Sequence, residues 1–258
     1  MTRFKNYITE GFGSYTSTGR TESLSEDKAI DLIKTHCKNN FKRLFKSDTS
    51  IKIYRGIKNF GEDFGYIDTN KGEPRVSANT YNYMTLFMDK LPSWRGWPKR
   101  SKSVICTTSN RYAGNYGNLY YVIPYDNTKI GICPEDDVWN SFYVLSPIDV
   151  DMFNYRLNAS FMKNNIQGSS KNWNKLKKSL SELERYPLDD TLYKFLETKP
   201  FIDNFNKLLD PKLNNFKMGI EKIQSNKEIW IQGECIFITK ADFKNNDIQN
   251  FFNKLKDL

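Results

Sequence analysis

The chain carries a single histidine, His36, and only four cysteines, Cys37, Cys106, Cys133 and Cys235, in 258 residues. That scarcity removes whole classes of chemistry. The cysteines are far apart, with no zinc-ligand spacing, and one imidazole cannot build a histidine-rich metal centre. A Ser-His-Asp or Cys-His hydrolase would also need that histidine. It stands beside Cys37 in a helical pattern, where adjacent side chains face apart, so the pair reads as structural. Thiols scattered through apolar surroundings read as buried and reduced, as in a cytosol-type compartment. Long apolar runs are missing too, since none approaches the roughly 20 residues that span a bilayer. The opening MTRFKNYITE has no apolar centre of the secretory type. There is no internal repeat and no clean linker.

What is abundant is positive charge and aromatic surface. The net charge is +9 and 15% of residues are Phe, Trp or Tyr. The aromatic content is too high for disorder, and the charge favours polyanionic partners: nucleic acid, nucleotides or acidic proteins. The length suits one large domain or two small ones.

Ser23 or Ser25 can cap a helix running to about Phe45, with Ile30, Ile33, Cys37, Phe41 and Leu44 on one face. Ile51 to Tyr54 alternates as a strand and delivers Arg55-Gly56 at its end. Asn59 to Pro74, rich in glycine and charge, reads as loop, and Thr80 to Lys90 as helix. Between Trp94 and Lys102 aromatics and cations interleave, which suits either stacking on bases beside phosphates or a lid over the core. Ser103 to Cys106 forms a strand ending in Thr107-Thr108-Ser109. Leu119 to Ile123 and Lys129 to Cys133 are further strands. From Ser160 to Lys222 the pattern turns helical, with stripes such as Trp173, Leu176, Leu180 and Leu183. Strand pairing resumes at Ile229, and Ile248 to Leu258 closes as an amphipathic helix. The expectation is one α+β domain over 11–258, with a helical insertion at about 160–222.

In the stretch from Glu228 to Ile238, the run Cys235-Ile236-Phe237-Ile238 after Gly233 reads as a buried strand. Glu234 stands at its mouth, with Gln232 two residues earlier. Residues two apart on an extended chain point to one side, so carboxylate and amide are expected to face one cleft.

Tyr54-Arg55-Gly56, Thr107-Thr108-Ser109 and Gln232-Gly233-Glu234, in that order, resemble the Arg–Ser–Glu signature of ADP-ribosyltransferases, in particular the toxin-like and phage-encoded members. The resemblance spans about residues 51–240 through three short motifs. It implies a split β-sheet core with an N-terminal helix, NAD as co-substrate and no metal. By the resemblance, Arg55 and Gly56 hold the NAD phosphates and Thr107, Thr108 and Ser109 shape the nicotinamide pocket. Glu234 stabilises the oxocarbenium-like ribose, and Gln232 positions the acceptor. Thr107 stands where the family has serine, which keeps the hydroxyl and adds a methyl. Tyr112 and Tyr116 either stack on nicotinamide or pack the core. A planar guanidinium fork suits phosphate, and a fixed carboxylate suits developing positive charge on a sugar, so the roles are chemically coherent. The acceptor is expected to be a host protein or a nucleic acid, and the protein a monomer. The competing reading is a non-catalytic virion or nucleic-acid-binding protein that keeps the fold without the chemistry.

Met1 to Glu10 resembles the capsid-targeting peptide of internal head proteins in T-even-type bacteriophages, which is cut after a hydrophobic-x-Glu motif. Ile8-Thr9-Glu10 before Gly11 matches that cut site; the plain alternative is a frayed terminus. The resemblance implies passage through a phage head into host cytoplasm. Protein recovered from mature particles is then expected to begin at Gly11, and mass spectrometry that finds Met1 intact there would remove the packaging reading.

Overall fold

In the computed structural model, residues 21–47, 50–71, 83–142, 174, 206–240 and 246–258 are described. Residues 1–10, read above as a packaging peptide, and the stripe of Trp173, Leu176, Leu180 and Leu183 lie outside the described residues. The chain forms two compact units, one from Val76–Gly96 and Trp139–Phe216, the other from Phe12–Arg75, Trp97–Val138 and Lys217–Leu258. Helix and antiparallel sheet together make the fold α+β. Among the described residues no helix is long and apolar enough to cross a membrane.

The first unit contains α3 (Tyr83–Lys90) and short turns around a cluster of large rings. Trp94 is buried, edge-on to Phe216 at 5.2 Å and to Phe142 at 6.4 Å. Its indole N–H donates to the Leu209 carbonyl at 2.8 Å, so the polar end of this large ring is satisfied inside. Asn214 donates to the carbonyls of Leu208 and Asp210.

The second unit carries the sheet. Its strands are β1 (Glu22–Ser23), β2 (Tyr54–Ile57), β3 (Phe64–Asp68), β4 (Val104–Thr107), β5 (Asn118–Pro124), β6 (Lys129–Ile132), β7 (Lys217–Met218), β8 (Glu228–Gln232) and β9 (Glu234–Thr239). Their order is β1-β3-β9-β5-β2-β4-β8-β6-β7, antiparallel throughout. Strand β2 pairs along its length with β5, but meets β4 at the single pair Tyr54↔Thr107. One junction therefore joins two half-sheets.

Alternation along the strands sorts side chains onto two faces. Tyr120 and Val122 of β5 join Cys235 and Phe237 of β9 in an inner cluster, which also takes Val104, Cys106, Ile229 and Ile231 from the other half. Their neighbours Tyr121, Ile123, Ile236 and Ile238 face the opposite way, toward helices α1 (Glu26–His36), α2 (Lys38–Phe45) and α5 (Asn246–Lys254). The sheet thus has an inner face built from both halves and, on the half formed by β3, β9 and β5, an outer face covered by helices.

Three local expectations change in the structure. The N-terminal helix breaks at Cys37, whose backbone leaves the helical region (φ −120°, ψ 12°). There the Asp126 carboxylate accepts hydrogen bonds from the Asn39 and Asn40 backbone N–H groups at 3.1 and 2.9 Å, capping α2 from a remote loop. Residues 64–68, expected as loop, form β3. Pairing with β1 and β9 outweighs a composition poor in strand formers at Gly65 and Asp68. The chain also rejoins the sheet at Lys217–Met218, before the expected Ile229, by pairing with β6.

Asn40 ties the helical layer to the sheet. It is buried, and its amide donates to the carbonyls of Pro124 and Tyr125 at 3.2 and 3.0 Å. Asn40→Ala leaves both acceptors without this donor and is expected to cost about 1–3 kcal/mol. The check is the urea midpoint, which should fall without a change in slope.

Candidate functional site

Arg55 lies within β2 and is 7% exposed. It pairs in register with Tyr120, so its side chain takes the inner face. Its guanidinium donates to the Ile105 carbonyl of β4. That carbonyl faces the line where β2 and β4 part after their single pair, so the arginine supplies the donor that a longer ladder would have given. Gly56 follows because α4 (Asn110–Gly114) packs directly on the strand: a Cβ there would lie 2.0 Å from the Ala113 carbonyl oxygen.

The Thr107-Thr108-Ser109 segment is held by its own hydroxyls. The Ser109 N–H donates to Thr107 Oγ1 at 3.0 Å. Ser109 Oγ in turn caps α4 by accepting from the Tyr112 N–H. Thr108, also buried, clasps the loop before β8. Its hydroxyl donates to the Gln224 carbonyl and accepts from the Lys227 N–H, each at 2.9 Å, and its own N–H donates to the Lys227 carbonyl at 3.0 Å.

That clasp brings Glu228 into the site, a residue the sequence reading did not select. Glu228 pairs directly with Thr107, which pairs with Tyr54, so these three share one face of the sheet, while Arg55, next to Tyr54 and on the inner face, stands one register step away. The buried Cys106 thiol, on the inner face between them, is pushed up to about 12 by burial. Arg55 pulls it back down and Glu228 raises it, so both charges reach the same point.

Glu228 is 8% exposed and well held. Its Oε1 accepts from the Arg100 guanidinium at 2.7 Å and from the Trp230 indole N–H at 2.5 Å. Oε2 accepts from the Val138 N–H at 3.3 Å. Arg100 also lies over the Trp230 ring, 5.1 Å from its centroid. The interleaved loop from Trp94 to Lys102 therefore buries its chemistry: Trp94, Trp97 and Arg100 are all inside, and only Arg95, Gly96 and Lys99 face out among its central residues.

Gln232 and Glu234 go elsewhere, and not to the same place. Gly233 has φ +135°, and its N–H donates to Thr69 Oγ1 at 2.7 Å. This turn carries the chain from one half-sheet to the other, so Gln232 and Glu234, although both alternate with the inward Ile231 and Cys235, end beside different strands. Gln232 pairs with Lys129 and its Oε1 accepts from the Lys99 N–H at 2.7 Å. Glu234 pairs with Asp68, precedes the inward Cys235, and accepts from the Tyr66 hydroxyl at 2.5 Å. It faces the helical layer, on the opposite side of the sheet from Arg55. The expected cleft shared by Arg55, Thr107 and Glu234 is therefore not formed.

Tyr112 is 41% exposed, and its phenol is raised first by a hydrogen bond to Asp136. Tyr116 is half-buried against Gly56. Among the described residues no group of three or more His, Cys, Asp or Glu is placed to hold a metal ion, and all four cysteines are buried and unbridged. Compared with known proteins, the chain matches no family model, no curated protein and no solved structure.

Removing one partner of a buried ion pair strands the other charge, typically at about 3–5 kcal/mol. Arg100→Met is expected to cost that much, and adding Glu228→Gln to it should recover a large part. A double-mutant cycle in urea measures this. Equal and additive losses would mean that Arg100 acts by packing alone.

Proposed function

We propose that the chain is an NAD-dependent mono-ADP-ribosyltransferase whose Arg–Ser–Glu set is Arg55, Thr107 and Glu228, acting on a host protein or nucleic acid. The observation that carries this reading is that Arg55, Thr107 and Glu228 stand within one register step on three adjacent strands, with Arg55 bonded across the β2–β4 seam and Glu228 paired to Thr107. Three side-chain types in the order of the family signature then stand on adjacent strands, Arg55 on the inner face and Thr107 and Glu228 on the other, once Glu228 takes the place first given to Glu234. The junction of two half-sheets at β2 and β4 is also what a split-sheet core would require.

The chemistry follows from the residue types. Arg55 offers a permanent charge and a planar fork for the NAD phosphates. Cleaving the nicotinamide–ribose bond places positive charge on the sugar, and a carboxylate fixed beforehand by Arg100 and Trp230 meets it without reorganising. Thr107 and Thr108 set the position of the loop that carries this carboxylate. With Glu228 in that role the place two residues before it belongs to Asn226, whose φ is 55°. Gln232 then has no part in choosing the acceptor.

One observation favours the second reading, a non-catalytic virion or nucleic-acid-binding protein. Both oxygens of Glu228 already have protein partners, as a purely structural ion pair would. Release of nicotinamide from NAD separates the two. The purified chain is expected to release it, Glu228→Gln to lower the rate by on the order of 10²–10³, and Glu234→Gln to leave it within about twofold. A folded wild-type chain that releases none, with or without host lysate as acceptor, supports the structural reading instead.

A further inference from the structure

The outer, helix-covered face of the sheet holds a cleft of about 660 Å³, within the range of small-ligand sites. Three of its lining rings form a continuous wall. His36 lies flat on Tyr125, with centroids 5.0 Å apart and 7° between planes, and Tyr66 tilts against Tyr125 at 6.1 Å. Glu234 stands beside this wall, tied through Oε1 to the Tyr66 hydroxyl. That bond holds the carboxylate at the lining of the cleft.

The charges around the cleft decide what it can hold. Asp126 spends both oxygens capping α2, and the Lys28 ammonium pairs with Asp31 at 3.1 Å. Glu234 Oε2 and the Glu22 carboxylate have no protein partner among the described residues. The unspent charge is therefore negative, beside flat aromatic surface. An anion is disfavoured. A primary ammonium would satisfy the charge but is strongly hydrated and has no flat face to lay on the rings.

We propose that this cleft binds a guanidinium group, as carried by an arginine side chain. A guanidinium is planar, weakly hydrated and permanently charged; it stacks on aromatic rings while its N–H fork meets a carboxylate. Here the stacking surface is Tyr66 and the exposed His36, backed by the buried Tyr125, and the carboxylate is Glu234, with Glu22 at the rim. The site is independent of the transferase reading, which uses Glu228 on β8 and not Glu234 on β9.

The test titrates the full chain with Nα-acetyl-arginine amide, following tyrosine and His36 signals by NMR. The citrulline analogue serves as a neutral control of the same shape, and guanidinium ion separates the bare cation from the side chain. The arginine amide is expected to bind at least about tenfold more tightly than the citrulline amide, and Glu234→Gln to weaken it by about tenfold. Guanidinium ion that competes for the same signals supports the assignment. Equal binding of arginine and citrulline amides, or wild-type protein that binds neither, overturns the proposal. So does unchanged affinity in folded Glu234→Gln. Should that variant not fold, Glu22→Lys, on the exposed strand β1, replaces it: about tenfold weaker binding supports the site, and no change overturns it.

Discussion

The pair Tyr54↔Thr107 is the one point at which the two half-sheets are hydrogen-bonded across β2 and β4. A seam this short exposes edge carbonyls to the interior, and a buried carbonyl without a donor costs about 1–3 kcal/mol. Arg55 meets that cost at Ile105. The inner cluster depends on the seam staying closed, because its residues come from both sides of it. A guanidinium is well suited to the task. Its stem packs among apolar neighbours while its several donors reach a carbonyl, where a lysine would present a smaller and more heavily hydrated charge.

Burying one positive group at the seam constrains the second charged pair nearby. Arg100 and Glu228 are both removed from water, and such pairs seldom add net stability over apolar residues of the same size. What this pair does add is definition. Glu228 is fixed by Arg100, Trp230 and the Val138 N–H, and the loop before it is clasped by Thr108. A carboxylate held from so many sides has little freedom to reorient. That restraint serves catalysis or structure equally well, which is why the decision between them rests on NAD chemistry rather than on geometry.

Much of the fold was legible from periodicity. The strand carrying Thr107, the strands at Leu119 and Lys129, the helix over Tyr83–Lys90 and the C-terminal helix all follow from local pattern. So does the cap at Ser25. What local pattern could not supply was partnership. β3 is a strand because β1 and β9 flank it, and the helix breaks at Cys37 because Asp126, far along the chain, caps its second half. The two glutamates could not be told apart for the same reason. Glu228-Ile229-Trp230-Ile231 and Glu234-Cys235-Ile236-Phe237 both read as an acid before an apolar strand. Only the register against Thr107 separates them. The one available local signal was Gly233 between the two runs, which marks a turn and sends its neighbours to different strand partners.

Gly233 also explains why two acids six residues apart meet such different surroundings. In the chain they open successive strands, yet β8 belongs to one half-sheet and β9 to the other. Glu228 opens onto Arg100 and Trp230, where a cation already neutralises it. Glu234 opens onto tyrosines and α1, where its charge meets only a hydroxyl and pushes the Tyr66 phenol, already raised by burial, higher still. In a chain with a net charge of +9, long-range attraction favours anionic partners at the surface as a whole. A cleft whose free charge is negative must therefore select its ligand by short-range fit, through ring stacking and carboxylate geometry, against the field of the rest of the molecule.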